Sequence, residues 1–206
     1  ILEEGEFGWF RIYEVYFYNC TYSGRYEEAL EVYGKVTQSS SFALMDGSHH
    51  DNWLLLGGYL HLLAKLGALD TTKVESVVGA FRYSKFFNEI EVLTKDKEGM
   101  NIPLVFLSIL FHLSKKTFDE QKDISIEALE KYRQRWLAND MNRRSDSFLK
   151  MLIAFSQKDY ATAAAEKKIK KELETLKNLT PDMAGQTWAI EIIPYETLWE
   201  LLNAKT

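Results

Sequence analysis

Cysteine is almost absent from this 206-residue chain: Cys20 stands alone, so no intrachain disulfide can form and neither a thiolate zinc site nor a CxxC redox pair can be assembled. A reducing, cytoplasmic setting is the simplest expectation. Proline is nearly as scarce, with Pro103, Pro181 and Pro194 the only three, which excludes a proline-rich linker. Long hydrophobic runs are missing as well. The most apolar stretch, Ile102 to Leu113, covers about twelve residues where a membrane-crossing helix needs roughly twenty, so it reads as a buried helix and no membrane is expected. A basic excess is lacking too: 25 Lys and Arg against 30 Asp and Glu give a net charge of −5, the opposite of the balance that marks a dedicated nucleic-acid binder. No Gly-rich phosphate loop, HExxH, GxSxG or EF-hand loop occurs in the sequence, and the chain is expected to be neither an enzyme nor a holder of cofactor or metal.

What is present is apolar and aromatic material. Hydrophobic residues make up 46% of the chain, including 12 Phe, 11 Tyr and 5 Trp, enough for one continuous core, and a single domain over residues 1–206 is expected. Ile1 opens the chain without an initiator Met or a basic-then-apolar leader pattern, so the expectation is a C-terminal fragment of a longer repeat protein.

Periodicity predicts helices nearly throughout. Phe7 to Tyr22 is so dense in apolar residues that it reads as a helix covered on two sides, ended by Ser23-Gly24. Tyr26, Ala29, Leu30, Tyr33 and Val36 then mark one face of a second helix over Arg25 to Val36. Ser48 with Asp51 resembles a capping box opening a third helix that runs to Leu66, with Gly67 free to adopt positive φ behind it. Gly57 and Gly58 inside that helix each cost about 1 kcal/mol relative to Ala, which implies close helix packing. Asp70 caps a shorter helix toward Phe81. Residues 82–100 carry a mixed helix and loop pattern. Beyond them the spacing predicts helices over Ile102 to Leu113, Asp119 to Leu137, Asn142 to Ser156 and Asp159 to Lys177. Thr180-Pro181 is a cap-and-first-turn signal, Ala189 to Ile193 is expected to be extended, and Pro194 opens a short final helix. That helix, anchored by Trp188 and Trp199, is expected to cap the stack.

One segment, Gly24-Arg25-Tyr26-Glu27-Glu28-Ala29, resembles the turn-and-second-helix signature of the tetratricopeptide repeat, in which Gly makes the turn, the aromatic fills the elbow and Ala lets the helices approach. Tyr13, Tyr16, Phe17 and Cys20 fall on the inward positions of the first helix, Tyr33 and Val36 on those of the second. Glu127-Ala128-Leu129-Glu130-Lys131-Tyr132 nearly repeats Glu28-Ala29-Leu30-Glu31-Val32-Tyr33, and Asp159-Tyr160-Ala161-Thr162-Ala163 echoes the turn; Asp159 replaces its glycine, and Phe118 lies about ten residues before Ala128. The resemblance implies an all-α, right-handed superhelix of stacked antiparallel hairpins (a TPR-like α-solenoid) with a short C-terminal capping helix. It further implies a concave groove that receives a peptide or helix of a protein partner, and it nominates Arg11, Glu14, Tyr18 and Tyr22 as the groove's partner-binding residues.

Two other clusters stand out. His49, His50 and Asp51 suggest a metal only superficially: His50 and His61 share a helix face but lie roughly 16 Å apart along it, and adjacent His49 and His50 point about 100° apart. They read as solvated helix-start residues, and His112 as a hydrogen-bonded core histidine. Arg143, Arg144, Lys167, Lys168 and Lys171 make a candidate basic patch on the helices of 131–177, the alternative being a helical-repeat nucleic-acid binder whose affinity would fall with salt. Glu166-Lys170, Lys168-Glu172 and Lys170-Glu174 are spaced as solubilising pairs. Phe7, Trp9 and Phe10 at the N-terminal edge are expected to be covered by upstream repeats or by self-association.

Overall fold

The computed structural model describes residues 6–45, 47–83, 86, 101–114, 126–156, 163–181 and 191–205. They are helices and their connections, with no strand among the described residues. Contacts divide the chain into two compact units, Ile1–Lys97 and Glu98–Thr206.

In the first unit, α1 (Phe7–Tyr22) and α2 (Tyr26–Thr37) form a hairpin. The reversal is made at Gly24, whose φ of +71° an L side chain would resist. There the amide of Arg25 donates to the carbonyl of Cys20 and that of Gly24 to Thr21, the paired bonds of a Schellman stop. A 3-10 turn, Phe42–Leu44, leads to α3 (Gly47–Leu66), and Gly67 repeats the same stop with Ala68 bonded to Leu63. α4 (Thr71–Val78) opens on Asp70, whose carboxylate accepts from the Lys73 amide at 2.9 Å. It ends short of Phe81 because Gly79 turns to φ +95°. Ser48 stands one residue inside α3, and its side chain, on which the capping box depends, lies outside the described residues.

α2 packs on both α3 and α4. The core between them is aromatic: Phe17 and Tyr33 each meet the ring of Trp53, at centroid distances of 6.1 and 6.0 Å. Leu56, Leu60, Leu63, Ala29, Val36 and Cys20 are sealed from solvent. Burying each of the three leucines and Val36 is worth about 1.5–3 kcal/mol, and this burial, more than helix propensity, holds short helices in place. Tyr16, expected to face inward, is 42% exposed; it lies toward the opening of α2, where its hydroxyl donates to Glu28. Trp9 and Phe10 are already buried, Trp9 packing on the rings of Phe10 and Tyr13. The exposed apolar side chains of α1 are instead Phe7, Ile12, Val15 and Tyr16.

The second unit holds α5 (Asn101–Leu113), α6 (Ile126–Tyr132), α7 (Arg143–Ser156), α8 (Ala163–Asn178) and α9 (Tyr195–Lys205). α6 continues into a π-helical turn, Arg133–Leu137, closed by the Ala138 amide on the Arg133 carbonyl, before a 3-10 turn at Asp140–Asn142. α5 is buried on nearly every face, as its all-round apolar sequence requires, and His112 there bonds through Nδ1 to the Ser108 carbonyl at 2.8 Å. α7 pairs with α8 and also meets α5 and α6. α9 is pinned by two aromatics: Tyr195 stacks on Phe148 of α7 at 4.5 Å with Phe106 of α5 edge-on, and Trp199 meets Phe155. Trp188, the turn at 159–162, the first two residues of the expected extended stretch (Ala189 and Ile190), Phe118 and the start of the expected helix at Asp119 lie outside the described residues.

Candidate functional site

Two of the four residues nominated on α1, Glu14 and Tyr18, meet one side chain of α3, and a third, Arg11, joins them through Glu14. Asn52 donates through Nδ2 to Glu14 Oε1 at 2.9 Å and, at 3.5 Å, to the hydroxyl of Tyr18. Arg11 closes on the other oxygen of Glu14 at 2.6 Å. The spacing of positions 11, 14 and 18 puts all three on one stripe of α1, and α3 lies against that stripe. Glu14 and Tyr18 are consequently buried, Arg11 keeps 37% of its side chain in solvent, and Tyr22 is partly exposed. Burial pushes the Glu14 carboxyl above the usual carboxylate range, against the opposing pull of Arg11 and His49. Burial likewise drives the Tyr18 phenol far up. The stripe is thus a polar seam joining two helices, with Arg11 and Asn52 at its accessible rim.

The histidines do other work. His49 meets Phe7 edge-on, His50 lies on the ring of Phe42, and His61 is buried against Phe81. No group of three metal-ligating side chains is found among the described residues.

The candidate basic patch separates into two environments. Arg143, Lys167, Lys168 and Lys171 are exposed. Arg144 is only 7% exposed, because its guanidinium is taken up by five acceptors. It grips Glu191 with two nitrogens, bonds Glu196 at 2.7 Å, and donates to the Leu176 and Leu179 carbonyls at the end of α8. A cation at a helix C-terminus meets the negative end of the dipole. Burial disfavours the Arg144 cation, but the bonds to Glu191 and Glu196 outweigh it and raise its affinity for the proton. This side chain ties α7 to the end of α8 and the start of α9, and is unavailable to a ligand.

The exposed lysines do not close the expected pairs: among the described residues none of Glu166-Lys170, Lys168-Glu172 or Lys170-Glu174 comes within ion-pair distance. Lys167, Lys168 and Lys171 instead edge a groove of about 430 Å³ whose far wall carries Arg133 and Lys150. Sequence reasoning missed Asn52, which has no local signature, and placed Arg133 and Lys150 in the basic span of 131–177 without singling them out as part of the patch. The last two had such a signature: Glu130-Arg133 and Asp146-Lys150 are spaced three and four apart, and both pairs form.

No protein-family model, curated protein or solved structure matches the chain.

Proposed function

We propose that the chain is a non-catalytic protein–protein interaction module built on TPR-like hairpins, receiving a peptide or helix of another protein along the first helices of those hairpins. The observation that carries this reading is the seam itself. α1 and α3 open two successive hairpins, and Asn52 of α3 reaches Glu14 and Tyr18 of α1, with Arg11 on the other Glu14 oxygen, a contact that suits first helices lying next to one another along a tetratricopeptide groove. The contacts of α2 with both α3 and α4 support the same stacking, which the reading extends into a right-handed superhelix. Arg11 and Tyr22, roughly 16 Å apart along α1, are the side chains of the nominated set that are partly open to solvent, and Arg and Tyr are frequent anchors of interface energy.

Photo-crosslinking in source cells tests it, with the crosslinker at position 11 or 22 and, as a control, at position 205 at the end of α9. A discrete protein adduct from positions 11 and 22, surviving nuclease and absent from position 205, is the expected result. Adducts of equal yield from all three positions would refute the groove.

The alternative, nucleic-acid binding, draws support from the exposed Arg143, Lys167, Lys168 and Lys171. Arg144 contributes nothing to it, being committed to Glu191 and Glu196, and the net charge of −5 opposes it at long range.

A further inference from the structure

The groove between α6, α7 and α8 has a composition that the proposed peptide groove does not explain, and the inference drawn from it is independent of that reading. Lys167 and Lys171, one helical turn apart on α8, repel one another, as like charges at this spacing do. Lys168 stands beside them, and none of the three forms an ion pair among the described residues. The opposite wall is fixed in advance. Asp146 holds Arg133 at 2.9 Å and Lys150 at 2.6 Å, while Glu130 takes the Arg133 Nε at 2.8 Å. Arg133 thereby keeps Nη2 without a bond among the described residues, at the first residue of the π-helical turn. Single π turns within helices recur at functional sites.

Arg133 and Lys150, already paired with Glu130 and Asp146, face three lysines that are exposed and without an ion pair among the described residues, around one concavity. An anion placed there would relieve the lysine repulsion and meet donors already oriented, which limits the ordering cost of binding. The space, about 430 Å³ and largely open to solvent, has room for a small anion. Among the described residues the lining has no aromatic on which a base could stack, as single-stranded nucleic acid requires. Its one buried carboxylate, Glu172, offers an acceptor that suits a hydroxyl next to the charged group.

We infer that this groove binds a compact phosphate-bearing group, either on a small molecule or on a phosphorylated side chain of a partner. Calorimetric titration of the full chain with inorganic pyrophosphate, and separately with a phosphoserine peptide, tests it and distinguishes the sources. Saturable binding of at least one probe is expected, weakened about tenfold or more by Lys167→Gln with Lys171→Gln. Lys177→Gln, an exposed lysine at the far end of α8, should leave it within about twofold. All three lysines are exposed, so the variants should keep the wild-type helical circular dichroism; Lys168→Gln alone serves if the double variant does not. Absence of saturable binding by both probes would overturn the inference. So would equal weakening by Lys177→Gln, which means diffuse charge, or a single-stranded oligonucleotide bound about a hundredfold tighter through the same lysines, which means a polymer site.

Discussion

The hydroxyl of Tyr33 on α2 lies 2.6 Å from the point where a Cβ on Gly57 of α3 would stand, with the ring carbon Cζ at 2.9 Å. Tyr33 is itself buried, its ring set against Trp53, so it has little room to retreat. Gly57→Ala sets two effects against each other: Ala favours the helix by about 1 kcal/mol, whereas overpacking a closed core costs about 1–3 kcal/mol. The expected outcome is net destabilisation of roughly 1 kcal/mol, measured as a lower urea midpoint with unchanged slope. Adding Tyr33→Phe removes the nearest atom and should recover part of the loss. A midpoint raised by Gly57→Ala would mean that the two helices do not approach this closely.

That contact is legible in outline from the sequence, because two glycines inside an otherwise strong helix have a cost that only close packing offsets. The helix ends are legible for a similar reason: Gly24, Gly67 and Asp70 each act within a few residues of their own position. Burial of polar groups is not. Arg144 meets carboxylates 47 and 52 residues away, and Asn52 reaches Glu14 across 38, so neither leaves a trace in local spacing. A string of basic residues therefore reads as one surface although one of its members belongs to the interior, and the inward stripe expected on α1 takes in Tyr16, which faces out.

Arg144 should be the most sensitive single position of the second unit. Removing one partner of a buried charge pair leaves the other uncompensated, at about 3–5 kcal/mol, so Arg144→Met is expected to cost that much in chemical denaturation. Arg144→Lys should fail to rescue, since an ammonium cannot span Glu191, Glu196 and two carbonyls together. Combining Arg144→Met with Glu191→Met should be less damaging than the sum of the single changes. Strict additivity in that cycle would mean that the two side chains do not interact.

His61 gives the first unit a dependence on acid. Burial lowers its pKa from the ordinary value, against the opposing hydrogen bond to the Gly79 backbone. The folded chain therefore binds fewer protons than the unfolded chain between that lowered pKa and about 6.5, and stability rises with pH across this window. Stability should fall as pH drops from about 6.5 toward that lowered pKa, and His61→Gln, which cannot titrate, should flatten the decline. Parallel profiles of thermal midpoint against pH for the two proteins would remove His61 as the cause.

Glu14 acts in the opposite sense. Its pKa is raised by burial more than Arg11, His49 and Asn52 lower it, so the folded state holds a proton that the unfolded state releases. Its contribution is fully present below the ordinary carboxylate value and is lost as pH rises through the raised one. Glu14→Gln keeps an oxygen for Asn52 and removes the charge. Relative to the variant, the wild type should lose stability as pH rises from about 4 toward 7, read as a growing difference in urea midpoint in favour of Gln. The reverse trend would mean that the Arg11 pair, at 2.6 Å, outweighs the burial of the carboxylate. The seam would then be held by charge, and high salt should weaken it; with burial dominant, added salt should change little.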